Sequence, residues 1–347
     1  MKTGPPSTTP PITPSPDKIL YYPYPGDDAS QDGSGRVFLY GDAKAKHVVL
    51  LCAGFPDDQD ALCHFAKRLV DETPSTLCGV TSLVGYDEEQ YRQGKCQPQG
   101  YTFEEMTVGL RTAAKTLRLY STSRRVNYSC IFHDWASVVG AMYSIQCLED
   151  PQEALVTPDK IVYFDVLPTR FDRLEPDTPP VSRDGVQTIK AVIYRFAFAI
   201  VFVLQWKISR HLALIVYRLF SMLLIMTGLM PGGSLDWTLF RNRRMDFNRF
   251  MYMMYPYYQL IKVLFNGTIL DVFDDFHLPL LSKVPVLYMY GRNKSFQFHE
   301  PVMVEFLESK GRQSDASKAI GVENASHWLY VHQEGMCISA VKKFLFD

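Results

Sequence analysis

The chain has no apolar run near its start, where Met1-Lys-Thr-Gly-Pro-Pro-Ser-Thr-Thr-Pro is polar and proline-rich, so no secretory signal peptide is expected. It has no paired set of cysteines. The seven that occur are odd in number and irregularly spaced, and Cys52, Cys130 and Cys147 lie inside apolar runs as packed thiols. A disulfide framework is excluded on that pattern, and the cytoplasmic side is expected rather than secretion. An excess of either charge is also missing: 36 Lys and Arg stand against 37 Asp and Glu, net −1, which leaves no field to attract nucleic acid. Internal repeats are not visible.

What is present is an ordinary globular composition, 47% hydrophobic and 21% charged, and 347 residues suit one large α/β core carrying an inserted module. Residues 1–17 read as a disordered Pro/Ser/Thr tail. Two strands follow, over Lys18–Tyr24 and Arg36–Tyr40, and then His47-Val-Val-Leu-Leu-Cys-Ala53, whose unbroken apolarity marks a strand buried on both faces of a parallel sheet. Leu62, Phe65, Ala66 and Leu69 have helical spacing, and Thr76–Val84 returns to strand character. Thr102 with Glu105 three residues later forms a capping box opening a helix that runs to about Tyr120. Arg125–Phe132 and Lys160–Leu167 are further strands, with the helix Val138–Leu148 between them.

From Pro168 this rhythm stops. Ala191–Met230 is intensely apolar and Leu235–Gly267 crowded with aromatics; Val284–Tyr290 then restores a buried strand, followed by the helix Val302–Ser309, the strand Lys318–Val322 and the helix Gly335–Phe346. The expected organisation is therefore a core over 18–167, a helical lid over 168–282 and the rest of the core over 283–347. Residues 191–230 admit three readings. They form packed lid helices, a lid face that dips into a membrane surface, or a true span. Lys207, Arg210, His211 and Arg218 interrupt the run, whereas a span wants ~20 nearly uncharged residues. Leu212–Met230, however, carries Arg218 alone.

Chemistry concentrates at Tyr128-Ser-Cys-Ile-Phe-His-Asp-Trp-Ala-Ser-Val-Val-Gly140, a strand that breaks sharply into a helix. A side chain at such a turn stands exposed above the sheet edge, and here it is Asp134. It reads either as a nucleophile, which would attack a saturated carbon and leave an ester, or as a buried Asp at an ordinary turn. Asp165 closes the next strand, and Asn324-Ala-Ser-His327-Trp follows the last one. The order is nucleophile, acid, base.

With those motifs, and with Gly54-Phe55-Pro56-Asp57 after the buried strand, the chain from about Arg36 onward resembles the α/β-hydrolase family that includes epoxide hydrolases and haloalkane dehalogenases. The resemblance implies a mostly parallel sheet flanked by helices with an inserted lid, Asp134 as nucleophile, His327 as the base that activates water, and the Phe55 and Trp135 backbone N–H groups as an oxyanion hole. It implies no cofactor and no metal. Several positions depart from the pattern: Phe132 stands where a glycine is expected before the nucleophile and Ala136 fills the second small position, which makes the turn bulkier, Ala53 replaces a His, and Lys294 stands where the third acid belongs. Asp165 is then the candidate to orient His327, its alternative role being a backbone hydrogen bond at the lid entrance. Lid tyrosines donate the proton in epoxide hydrolases, and Tyr217, Tyr255, Tyr257 and Tyr258 are candidates here. Halide chemistry needs a second side-chain donor where this chain has Phe55, which favours a lipophilic epoxide as substrate. The alternatives are a dehalogenase, an ester hydrolase, or a catalytically impaired binding protein on the same fold.

Overall fold

A computed structural model describes residues 13–25, 35–123, 126–167, 185–226, 246–265, 284–294, 297, 299, 301–314 and 317–347. The N-terminal residues 1–12, and the lid stretches 168–184, 227–245 and 266–282 anticipated from the sequence, lie outside them. Strands β1 (Lys18–Tyr22) and β2 (Gly35–Tyr40) pair antiparallel at one edge, and β3 (His47–Ala53) lies two places further in, beyond β4 (Thr76–Ser82). Then β5 (Asn127–His133), β6 (Lys160–Phe164), β7 (Val286–Gly291) and β8 (Lys318–Val322) extend an eight-stranded sheet in the order β1-β2-β4-β3-β5-β6-β7-β8. From β4 to β8 every pairing is parallel. All those strands therefore end on one edge, and each loop that carries candidate chemistry leaves from it.

Helices cover both faces, so the inner strands are apolar on both sides and alternation is lost. Among the helices, α1 (Asp60–Glu72) packs with β3 and β4, while α2 (Glu88–Arg92) is a short turn capped by Asp87. The capping box expected at Thr102 opens α3 (Phe103–Tyr120): its hydroxyl accepts from the Glu105 N–H, and the Glu105 carboxylate accepts from the Thr102 N–H. Helix α4 (Trp135–Glu149) begins directly after Asp134. The inserted segment supplies α5 (Gly185–Lys207), α6 (Arg210–Met226), α7 (Phe247–Tyr252) and α8 (Tyr255–Phe265); α9 (Pro301–Ser314), α10 (Leu329–His332) and α11 (Glu334–Phe346) complete the core. Among the described residues no helix is long and apolar enough to cross a membrane.

The tail boundary needs correction. Tyr40 donates its hydroxyl to the Pro14 carbonyl, the Gly41 N–H donates to the Asp17 carboxylate at 2.8 Å, and the Asp17 N–H donates to the Leu39 carbonyl. Residues 14–17 are thus laid along β2, because their polar groups meet unsatisfied partners at its end.

Candidate active site

Asp134 sits between β5 and α4 with φ 54° and ψ −128°, a conformation that L-residues avoid at a cost of order 1–3 kcal/mol. Such a backbone turns the side chain up from the strand end while the helix starts at once. Room for it comes from Gly54, where a Cβ would lie 2.3 Å from the Trp135 nitrogen and 2.8 Å from the Asp134 Oδ1. The bulk of Phe132, unexpected beside this turn, is accommodated on the helix. A Cβ on Gly140 would come within 2.5 Å of the Phe132 ring, so the small residue has moved from strand to helix.

His327 and Asp165 converge on Asp134. The His327 Nδ1–H donates to Asp165 Oδ2 at 2.6 Å, and the His327 Nε2 lies 3.7 Å from Asp134 Oδ2. Asp165 also adopts a left-handed backbone, φ 67°, which redirects its carboxylate from the end of β6 toward the histidine. Lys294, in place of the missing acid after β7, pairs with the other oxygen of Asp165, and both side chains are fully buried. One carboxylate is therefore shared by two cations.

The electrostatics follow from this sharing. Burial works against charge on Asp165, but the Lys294 cation and the His327 hydrogen bond outweigh it and hold its carboxyl far below the usual range. For His327 burial again opposes charge, yet the Asp165 hydrogen bond and the Asp165 and Asp134 carboxylates raise it to about 9. Burial raises Asp134 to about 6, and the nearby His327 limits that rise. At neutral pH the resting pair is a carboxylate facing an imidazolium.

Asp57 ties down the Phe55 turn from the position four residues after Ala53. Its Oδ2 accepts from the Trp328 indole N–H at 2.5 Å and from the Tyr330 hydroxyl at 3.3 Å, which ties the Phe55 turn to the segment just after His327. The neighbouring Asp58 accepts from Arg249 of α7 at 2.6 Å, and the same guanidinium donates to the Tyr86 carbonyl. Behind the site His133 is fully buried and pushed down to about 3 by burial, so it is neutral and donates through Nε2 to the His327 carbonyl at 3.1 Å. No pattern in the sequence singled out His133 beyond its place before Asp134.

The inserted segment closes the other side with aromatics. Phe55 meets Phe198, Phe250 and Tyr257 at ring separations of 5.0–5.6 Å, and Trp135 meets Tyr257 at 5.1 Å. Tyr257 and Tyr194 share a hydroxyl–hydroxyl bond of 3.1 Å, and the Asp134 charge acts on both. The four tyrosines expected from the sequence are thereby separated. Tyr257 faces the site; Tyr255 donates its hydroxyl to the Val84 carbonyl, Tyr258 packs against Phe202 and Trp206, and Tyr217 against Phe247 and Phe250. Tyr194 was missed. It lies in an apolar helical run where nothing distinguishes a site tyrosine from a packed one.

No protein-family model matches the chain, and no curated protein does either. Solved structures do. An epoxide hydrolase of the α/β-hydrolase superfamily from metagenomes of hot environments is 14% identical with a TM-score of 0.56, over 94% of this chain and 98% of that one. An epoxide hydrolase from Vigna radiata is 14% identical, TM-score 0.52, over 89% of this chain and 94% of its own. A haloalkane dehalogenase variant from Bradyrhizobium elkanii is 12% identical, TM-score 0.52, over 94% and 96%. This chain has the α/β-hydrolase fold.

Proposed function

We propose that the protein is a hydrolase working through an ester of Asp134, with a lipophilic epoxide as substrate. The observation that carries this reading is the position of Asp134, with the His327 Nε2 3.7 Å from its Oδ2 and the hydrogen-bonded Tyr194–Tyr257 pair packed on the adjacent Trp135 ring. Burial raises both tyrosines well above their ordinary range, so at neutral pH they are hydrogen-bond and proton donors.

In this scheme an Asp134 oxygen attacks one epoxide carbon, the carbon–oxygen bond breaks, and the alkoxide takes a proton from the tyrosine pair. Ester formation removes one of the two carboxylate charges that keep His327 protonated. Its proton passes to the tyrosinate, and the neutral imidazole becomes a base only after the substrate is bound covalently. His327 then deprotonates a water that attacks the Asp134 carboxyl carbon, while the Phe55 and Trp135 N–H groups hold the oxyanion. Collapse expels the second alkoxide, which takes the proton of the new carboxyl group. The cycle ends with diol released, Asp134 ionised and His327 protonated, as at the start.

The test is intact mass after incubation with a lipophilic epoxide, using His327→Gln to block water activation. An adduct of one substrate mass on Asp134 in this variant, with diol formed by the parent chain, is the expected result. No adduct and no diol across a panel of epoxides would overturn the reading.

A further inference from the structure

The outer face of the lid is as apolar as its inner one. Along α6 and the residue pair before it, Ile208, Leu212, Ile215, Leu219, Met222 and Leu223 are each between 40% and 66% exposed. With 3.6 residues per turn these six fall within an arc of about 100°. Ala213, Tyr217 and Ser221 on the opposite side are buried, so α6 is an amphipathic helix with apolar residues on both faces and the larger aliphatic stripe turned outward. Val192, Ile193 and Ile200 of α5 are exposed as well.

The charges carried by α5 and α6 themselves have one sign. From Gly185 to Met226 there is no Asp or Glu, while Lys190, Arg195, Lys207, Arg210 and Arg218 occur in the same stretch. Arg218 and His211 border the stripe; Lys207 and Arg210 flank the turn between the two helices, where the Lys207 ammonium lies 3.6 Å over the Trp206 ring. A protein partner's docking patch is typically enriched in aromatic anchors and rimmed by charges of both signs. This stripe is aliphatic and the charges on its own two helices are cationic, with Asp246 at the start of α7 the acid that shares a neighbour, Tyr91, with Arg210. A second copy of the chain would bring like charges face to face.

We propose that the outer face of α6, with the α5–α6 turn, docks on an anionic phospholipid membrane surface, its aliphatic stripe lying in the headgroup region and its cations on lipid phosphates and carboxylates. The helix pair does not span. The lid then rests on lipid through one face while Tyr194 and Phe198, on the inner side of α5, look into the site. This inference does not depend on the proposed chemistry.

The test is flotation of the full-length chain with phosphatidylcholine vesicles, with and without phosphatidylserine. Binding is expected to be stronger on the serine-containing vesicles by about fivefold for each cation engaged, and to weaken as salt rises. Ile215→Ser/Leu219→Ser/Met222→Ser, at exposed positions, should keep the thermal melt of the parent and lose at least about tenfold in binding. Arg210→Glu/Arg218→Glu should lose affinity for the anionic vesicles only. The proposal is overturned if the parent binds neither vesicle, if the triple serine variant binds as well as the parent, or if the stripe instead holds a dimer that the serine substitutions dissociate.

Discussion

Asp134 is a buried acid raised to about 6, and such a group costs stability wherever it is forced to ionise. In the unfolded chain it titrates at ~3.9, so the cost is absent below about pH 4, grows between the two values and is full above about pH 6. Asp134→Asn should therefore abolish turnover and yet raise thermal stability at pH 7, by up to about 3 kcal/mol, with no gain at pH 4. Paired melts at the two pH values check this, and an equal shift at both would show that the gain comes from packing. Asp165 has the opposite sign. Its depressed carboxyl contributes stability that is present above its unfolded value and lost only far below it, so this contribution persists through the neutral range. Asp165→Asn keeps the geometry but favours the wrong imidazole tautomer, and should slow ester breakdown by up to ~10⁴ so that the alkyl-enzyme accumulates. Lys294 lowers the basicity of His327 by sharing Asp165. Single-turnover kinetics on Lys294→Met should find the ester-cleaving step shifted to higher pH, since it requires a neutral imidazole, while the alkylation step keeps its rise near pH 6.

Among the elements, the inserted segment is tied to the core by the Tyr252 and Tyr255 hydroxyls, by the Met253 carbonyl that accepts from Tyr86, and by the buried Arg249. It joins α7 to Asp58 and to the Tyr86 carbonyl. Removing one partner of a largely buried pair costs up to ~3–5 kcal/mol, and Asp58 keeps the Asp60 N–H as a donor. Arg249→Gln should raise amide exchange in α7 and around Asp58 while leaving β5 and β6 protected, and hydrogen-exchange mass spectrometry would separate this local loosening from global destabilisation. The elements themselves were largely legible. The continuous run at His47–Ala53, the capping box at Thr102 and the strand before Asp134 each carry a local physical signal, and each lies where the pattern puts it. What could not be read is whatever depends on residues distant in sequence. Phe132 looked too large for the turn because its compensation, Gly140, is on the following helix, and Tyr194 gains a role only by meeting Tyr257. That Asp165 and His327 come close together was legible because each follows the carboxyl end of a parallel strand, on the one edge where those strands end.

For the molecule as a whole, the edge formed by β1 and β2 includes residues 14–17, whose polar groups are tied to the end of β2. Deletion of residues 1–12 should leave the melting temperature unchanged, whereas deletion through Asp17 removes the hydrogen bonds to Tyr40, Gly41 and Leu39 and should lower it by a few degrees. Calorimetry on the two truncations checks the boundary; equal melting temperatures would show that 14–17 contribute nothing. The site end of the molecule is organised around another short segment. Asp57 is gripped by Trp328 and Tyr330 beside His327, and Asp58, the next residue, by Arg249 of α7. Two adjacent carboxylates thus make the Phe55 turn a common datum from which both halves of the molecule are positioned. Any displacement of α7 relative to His327 has to strain or release one of the two grips, so in the proposed scheme an inserted segment that swings away also takes apart the Phe55 and Trp135 amide pair, and an open protein is by construction an idle one.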